Sequence, residues 1–519
     1  MQIHKIALPD THSFNSFFLD YISQKDTLKN FYHRFPVVAN FKDQISEKSS
    51  FTQENRNVLF NSLAKQYDGI KISDAVASNL KSLKDPKTFT ITTGHQLNVF
   101  TGPLYFIYKI VTVINACKKL KEQYPAYNFV PVYWMASEDH DYDEIRSFRL
   151  YGKKYSWETD QTGAVGRFDP KSLSKIIDDL PGDVSFFKTA YTKHSSLSQA
   201  VRYYVNELFG SEGLIVVDAD DRDLKSLLKS VIHDDLFNHT PKKLVEERNK
   251  QLESSGYHPQ VFARDINFFF LDKGLRQRIE RNNEGFSVVD TDLKFSQAEI
   301  EKLIDSSPEK FSPNVILRPL YQEIILPNLG YAGGPAEVVY WLQLKGVFDH
   351  FKIPFPVLMP RNFAVMMDES TRKKFVKTGL ELKDLFEEKN YLFNHWTVRN
   401  SQTDLSLSKE IAEAKNIFVQ VKNRASQIDP TLLKHADAQT LHLTKALETI
   451  EAKMLRAEKR KHSDKLRQIE TVKDALFPNG SLQERVDNFL NFYQQDPQFI
   501  QKLIEAFDPF DFRFTIFEV

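Results

Sequence analysis

The sequence lacks most of the features that mark out a special class of protein. It has one cysteine, Cys117, in 519 residues. That excludes an intrachain disulfide and any cysteine-based zinc cluster, and it suits a reducing compartment. It has no surplus charge of either sign: Lys plus Arg and Asp plus Glu number 69 each. No global field therefore favours nucleic acid or an anionic membrane, although a local basic groove would escape that count. No apolar run approaches the roughly 18 residues of a membrane span, since even Tyr105–Cys117 is interrupted by Lys109. The opening MQIHKIALPDTHSFNSFF lacks the basic and apolar regions of a secretory signal. A soluble, cytoplasmic protein with no membrane or nucleic-acid partner is the expectation.

Core material is ample. Aromatic residues make up 13% of the chain, with 42 Phe, too many large apolar groups for a disordered polypeptide. The length exceeds what one hydrophobic core supports, so about two to four structural units are expected.

The most informative stretch runs from Thr93 to Glu144. FTITT (Phe89–Thr93) reads as a buried strand stopping at Gly94, and Pro103 opens an amphipathic helix to about Gln123. FVPVYWMA (Phe129–Ala136) is a second, nearly continuous apolar strand, as expected when both faces are covered. A cluster of one His and five carboxylates, Glu138 to Glu144, follows it. This is one βαβ unit whose polar groups gather at strand ends, where open α/β sheets bind ligands.

Elsewhere, residues 1–88 look mostly helical and should lie against the sheet. FRLYGKKYSWE suggests a hairpin, GLIVVDAD (Gly213–Asp220) a third parallel strand, and Leu224–Phe237 the helix after it. Pro241–Ser255 reads as a long helix and INFFFLD (Ile266–Asp272) as a strand. In Leu317–Phe348 a GYAGG loop feeds Pro335 at the start of an apolar helix, a potential anion site, and FPVLMPR ends a further strand at Arg361. Past Lys383 the chain turns charged and helical. Ile411, Ala414, Phe418, Val421, Ala425 and Ile428 form one seam. Leu433, Ala436, Leu443, Leu447, Ile450, Met454 and Ala457 form a second, after Asp429-Pro430. This is coiled-coil spacing. The seam ends at EKRKHSDK, which suggests a solvated far end. Leu482–Phe507 reads as another helix and FRFTIFEV as a closing strand.

These pieces resemble a known family, the BshC-type cysteine ligases of bacillithiol biosynthesis. The resemblance rests on TGHQ (Thr93–Gln96), FTGPLY (Phe100–Tyr105), PVYWMASEDHDYDEI (Pro131–Ile145), RPLYQEIILP (Arg318–Pro327), GGPAEVVYW (Gly333–Trp341), Pro360-Arg361 and LFPNGSLQER (Leu476–Arg485). It implies an α/β fold: a Rossmann-like parallel sheet core with inserted connecting-peptide segments and a C-terminal α-helical coiled coil through which the family dimerises. The implied layout is a helical segment over 1–88, a core over 89–383 with insertions at about 146–210 and 241–316, a dimerising coil over 384–478, and a segment over 479–519 returning to the core. The implied activity is addition of L-cysteine to glucosaminyl-malate. Many family members carry TGQQ where this chain has His95 before Gln96, and no literal HIGH or KMSKS motif is present.

Amide condensation at neutral pH needs an activated carboxylate, because hydroxide is a poor leaving group. An adenylate or acyl phosphate is expected, with ATP or ADP as the nucleotide and divalent magnesium as a possible companion. His95 and Gln96 are candidates to hold phosphate or acyl oxygens, or to satisfy loop backbone. Thr101, Gly102 and Tyr105 belong to a helix start that either binds an anion or merely opens the helix. Glu138, Asp139, His140 and Asp141 are the candidate catalytic group, able to grip an amine, bond sugar hydroxyls or transfer protons, or else to form a solvated acidic loop. Gly333, Gly334 and Glu337 either approach a ligand or build a turn requiring positive φ. Arg318 and Arg361 suit malate carboxylates or phosphate, with Arg318 alternatively pairing Glu323. Cys117 reads as a packing residue. The competing reading is a non-catalytic nucleotide- or thiol-binding scaffold assisting a separate ligase.

Overall fold

The computed structural model describes residues 2–518. Its central sheet has five strands: β1 (Thr88–His95), β2 (Asn128–Met135), β3 (Ile215–Asp218), β4 (Asn328–Gly333) and β5 (Val357–Pro360). All pair in parallel in the order β3-β2-β1-β4-β5. Every residue of β1 is buried, and so is all of β2 beyond Asn128. That two-sided burial explains why these strands are continuous apolar runs. Strand order reverses between β1 and β4, which opens a crevice at their carboxyl ends.

Three helices shape that crevice: α1 (Tyr105–Gln123) joins β1 to β2, α2 (Arg318–Ile325) precedes β4, and α3 (Pro335–Trp341) follows it. An unbroken run of α1, Phe106 to Cys117, is buried. On one side it meets the sheet; on the other, Asn115 Nδ2 donates to the carbonyls of Ile504 and Phe507, each at 2.8 Å. A helix enclosed in this way is apolar all round. Cys117 is buried there, and burial pushes its thiol up, as fits a packing residue.

The N-terminal helices are bonded to the sheet. Tyr21 Oη donates to the Leu358 carbonyl at 2.7 Å, and Gln44 Nε2 to that of Phe355 at 3.0 Å. Lys48 Nζ meets Glu323 Oε2 at 3.3 Å with both side chains out of water. Glu323 also accepts from Asn328, whose Oδ1 receives the hydroxyls of Thr90 and Thr92. This polar chain crosses from the leader through α2 into the centre of the sheet.

A separate antiparallel sheet, containing Phe268–Asp272, Leu275–Asn282 and Phe311–Pro313, forms a wall beside the crevice. Ser147–Leu150 pairs with Lys153–Ser156 as the expected hairpin. Beyond the core, α4 (Ser408–Ile428) and α5 (Leu432–Lys461) fold back on each other, and α6 (Ser463–Leu476) returns the chain.

Several elements differ from expectation for identifiable reasons. The leader starts with a strand, Gln2–Ile6, paired antiparallel to Phe514–Glu518 at the other end of the chain. Leu224–Phe237 is two helices, Arg222–Ser226 and Lys229–Asn238. Leu482–Phe507 is broken into Gln483–Arg485, Leu490–Tyr493 and Phe499–Ala506. Its polar side chains serve the core instead: Gln483 bonds the Met366 N–H and carbonyl, and Asn488 bonds the carbonyls of Phe100 and Gly102. EKRKHSDK is not the far end of the coil but the joint between α5 and α6, where His462 meets Trp396 edge to face. The far end is the turn after Ile428, which is 81% exposed.

Lys48→Ala leaves Glu323 buried without its cation. The expected outcome is a loss of about 3–5 kcal/mol, read as a lower urea midpoint. A midpoint unchanged from the parent would show that the buried pair is not structural.

Candidate functional site

The C-terminal ends of β1, β2 and β4 converge on a cavity of about 370 Å³. Gly94, His95 and Gln96 come from the end of β1, Trp134 through Asp139 from β2 and its loop, and Gly334 and Glu337 from the start of α3. Lys109 and Tyr105 line it from α1, Arg318 and Tyr340 from beside β4, Arg276 and Asn314 from the antiparallel sheet, and Arg361 and Arg485 from further along the chain.

Gly94 leaves little room for a side chain, since an added Cβ would lie 3.1 Å from Tyr331 Oη and 3.6 Å from Arg318 Nη1. His95, 8% exposed, stacks on Tyr105 with centroids 5.1 Å apart, and its Nε2 has no hydrogen-bond partner. Burial, reinforced by Lys109 and Arg361, drives its proton affinity well below the ordinary imidazole value. His95 is therefore a neutral ring at pH 7, with a free nitrogen at the crevice.

Lys109 is the buried cation of the floor. Its Nζ donates to the Gly94 carbonyl at 2.8 Å and pairs with Glu337 Oε2 at 2.5 Å. Glu337 also accepts from Tyr331 Oη at 2.6 Å and from Gly334 N at 2.8 Å. Burial alone would raise the Glu337 carboxyl, but Lys109 and these donors hold it below its usual value. The same contacts put a carboxylate at this helix start, where Glu337 caps the N–H of Gly334, the residue before α3. The two glycines do not form the expected turn with positive φ: neither Gly333 nor Gly334 has it. An added Cβ at Gly333 would instead press on Glu337 and Tyr331, at 3.0 and 3.1 Å. Only Gly334 of the pair lines the cavity.

Arg318 does not pair Glu323, whose carboxylate is occupied by Lys48 and Asn328. Its guanidinium sits among Trp134, Tyr331 and Trp341, with centroids 5.7–5.9 Å away. Only Gln322 Oε1 at 3.3 Å and Tyr340 Oη at 3.5 Å are bonded to it. No carboxylate among the described residues reaches it, so an aromatic cage holds a charge without a counter-ion. Arg361 is more committed. Its Nη2 donates to Glu484 at 2.6 Å and its Nη1 to the Asn362 carbonyl, while Nε stays buried and unbonded.

The acidic cluster divides. Asp139 lines the cavity and accepts from Gln96 Nε2 at 2.6 Å and from His140 N at 2.7 Å. Burial, which alone would raise its carboxyl, is outweighed by His140, Arg276 and Gln96, which keep it ionised. Gln96 Oε1 is left buried without a partner. Glu138 is buried against Lys225 at 2.5 Å, and burial pushes its carboxyl up despite that cation.

His140 and Asp141, two of the expected catalytic residues, are not among those lining the cavity. His140 Nδ1 lies 2.7 Å from Nη1 of Arg276, which lines the cavity. Guanidinium has no acceptor, so Nδ1 accepts and the ring proton sits on Nε2. Asp141 caps the turn Tyr142–Ile145 by accepting from Glu144 N at 3.2 Å. That turn carries Glu144 to the cavity wall, where burial and then Asp139 and Asp141 raise its carboxyl.

Thr101 and Gly102 also lie outside the cavity. Gly102 has φ +62° and an added Cβ would collide with Asn98, while the Leu104 N–H that an anion would need donates to the Asp487 carbonyl at 2.7 Å. The residues that sequence reasoning missed are Lys109, Glu144, Arg276 and Arg485. Lys109 carried the clearest signal, a lone cation inside an otherwise apolar helix.

The free groups fit an anionic ligand: the caged Arg318, the unbonded Nε of Arg361 and the neutral His95. A carboxylate or a nucleotide phosphate meets that donor set equally well. Magnesium is not matched in the same way. Among the described residues no group of three or more His, Cys, Asp or Glu side chains could hold a metal ion.

A buried neutral His95 makes the protein acid-sensitive. The unfolded chain binds this proton below about pH 6.5, while the folded chain resists it. The corresponding stability is fully present above that pH and is lost as pH falls toward the depressed folded value. His95→Gln should therefore lose less unfolding free energy than the parent between pH 7.5 and 5.5. Identical losses would contradict the buried neutral ring.

The family model described as Bacillithiol biosynthesis BshC, N-terminal Rossmann-like domain, matches residues 1–362, and that for the BshC C-terminal coiled-coil domain matches residues 364–519. A Flavobacterium psychrophilum protein named "Putative cysteine ligase BshC" is 42% identical over 516 residues, covering 97% of each chain. The Flavobacterium johnsoniae protein of that name is 42% identical with 98% of each covered, and the Cytophaga hutchinsonii one 39% with 98% of each. A solved structure described as a putative arginyl-tRNA synthetase from Campylobacter jejuni covers 84% of this chain and 98% of its own, at 9% identity and a TM-score of 0.20. That similarity is too weak to bear on the fold. With both family models matched across a Rossmann-like sheet and a helical coil, the chain belongs to the BshC family of bacillithiol biosynthesis.

Proposed function

We propose that this chain is an amide-forming ligase that adds L-cysteine to glucosaminyl-malate in the last step of bacillithiol biosynthesis, driven by a nucleotide, ATP or ADP. The observation that carries the reading is the pairing, within one cavity, of uncommitted anion donors with uncommitted carboxylate. Arg318 has no counter-ion and His95 Nε2 no partner, while Glu144 faces them without a cation of its own. The names of the relatives point the same way, each being called a cysteine ligase.

Each residue then has a task that its surroundings support. Arg318, Arg361 Nε and His95 Nε2 hold anionic oxygens, whether of an acyl group, a malate carboxylate or a phosphate, in a site whose apolar walls strengthen such bonds. Asp139, ionised and fixed by Gln96 and Arg276, orients an ammonium group. Glu144, with its carboxyl raised by burial and neighbouring acids, is the group suited to take a proton from the attacking amine. The nucleotide, when bound, supplies the leaving group that a free carboxylate lacks. No step is assigned to magnesium.

Incubating the protein with cysteine, glucosaminyl-malate and ATP, and following the thiol product by mass spectrometry, tests the reading. Turnover is expected. Arg318→Ala should lower kcat/KM by about 10- to 100-fold, the scale of one charge-assisted contact, and Glu144→Gln should act mainly on kcat. His140→Ala should stay within about threefold of the parent, because loss of a partly exposed contact is worth under about 1 kcal/mol. No turnover with any nucleotide would favour the scaffold reading.

The same proposal includes a homodimer formed through the coil. Ile417, Val421 and Ile428 on α4 and Leu441 on α5 are exposed large apolar side chains on helices whose seams are only partly covered. Light scattering should give twice the chain mass, and Val421→Asp with Leu441→Asp should halve it. A monomeric parent protein would remove the dimer.

A further inference from the structure

Arg485 is the single residue that lines both the switch-point cavity and a second cavity, of about 650 Å³, at the base of the coil. Arg485 is exposed and its guanidinium has no hydrogen-bond or ion-pair partner among the described residues, whereas its neighbours Gln483 and Glu484 are buried and bonded to the core. Gln483 bonds the Met366 N–H at 2.8 Å and the Met366 carbonyl at 3.1 Å. Glu484, fully buried, accepts from Arg361 Nη2 at 2.6 Å and from Ala364 N at 3.1 Å. Two residues later the Asp487 carbonyl accepts from Leu104 N at 2.7 Å, and Asn488 fixes the Phe100 and Gly102 carbonyls. A fixed backbone thus presents a free cation.

The charges around the cavity say what that cation is for. Glu337 is neutralised by Lys109, Asp139 by Arg276, Glu138 by Lys225 and Arg361 by Glu484. Arg318 and Arg485 remain against Glu144 alone. The uncommitted groups therefore carry net positive charge, and Arg318 and Arg485 come from different parts of the chain. A backbone fixed before binding lowers the ordering cost of a bidentate contact.

We propose that Arg485 is a specificity-determining contact that holds an anionic group, carboxylate or phosphate, of the ligand in the switch-point cavity. The C-terminal segment that leads out of the coil thereby becomes part of the binding site. This rests on the ligase reading, which supplies two sources for the anion: the malate carboxylates of the acceptor and the phosphates of the nucleotide.

Titration calorimetry on the full chain, with glucosaminyl-malate and separately with ATP, separates the sources. Arg485→Ala should weaken one of the two by about 10- to 100-fold, and Arg485→Lys should recover part of the loss, since it keeps the charge but not the fork. L-Cysteine affinity and the melting temperature should not move. A loss confined to glucosaminyl-malate assigns the carboxylate, and a loss confined to ATP assigns the phosphate. If Arg485→Ala melts lower, Arg485→Gln is compared with Arg485→Lys; equal affinities for both ligands in those two variants overturn the assignment. Unchanged affinities in Arg485→Ala also overturn it while leaving the ligase reading intact. A parent protein that binds neither compound removes both.

Discussion

The ion pair between Lys109 and Glu337 is the constraint on which the site depends. Lys109 reaches from α1 to the Gly94 carbonyl at the end of β1, and Glu337 reaches from α3 to the Gly334 N–H at the end of β4. One contact therefore spans the point where strand order reverses and sets the separation of the two strand ends. Burying these charges is costly, and three further polar partners help to meet the cost locally: the Gly94 carbonyl, the Gly334 N–H and the Tyr331 hydroxyl. The consequences extend outward. Lys109 helps to keep His95 neutral, and Glu337 places a carboxylate at the start of α3.

A second buried pair, Arg361 with Glu484, ties the end of β5 to the C-terminal segment. Together the two pairs explain how a cavity assembled from distant parts of the chain can be precise. Lys109 and Arg361 have carboxylate partners, whereas Arg318 and Arg485 at the cavity wall have none among the described residues. Ligand chemistry is thus written in what is left unpaired.

Much of the architecture was legible because it follows from local pattern. The continuous apolar runs of β1 and β2 required burial on both faces, and the three-and-four spacing of the coil seams required helix on helix. Features that depend on distant partners were not legible. Gln2–Ile6 is a strand only because Phe514–Glu518 lies beside it, and Leu482–Phe507 breaks because its polar side chains serve the core. The site shows the same division. His95, Gln96, Tyr105, Glu138, Asp139, Arg318, Gly334, Glu337 and Arg361, all named as candidates from the sequence, line the cavity. Asp141 caps the turn that carries Glu144 to the cavity, a placement that composition cannot reveal. At the helix start that follows Thr101 and Gly102, the Leu104 N–H is taken by the carbonyl of Asp487, far along the chain.

The central claim is that glucosaminyl-malate occupies the crevice between β1 and β4, with an acidic group against Arg318 and its amine toward Glu144. A crystal structure of the protein with glucosaminyl-malate tests this most directly. The account predicts a carboxylate within hydrogen-bond distance of the Arg318 guanidinium and the amine within reach of Glu144. A ligand bound elsewhere with the Arg318 cage left untouched would contradict it.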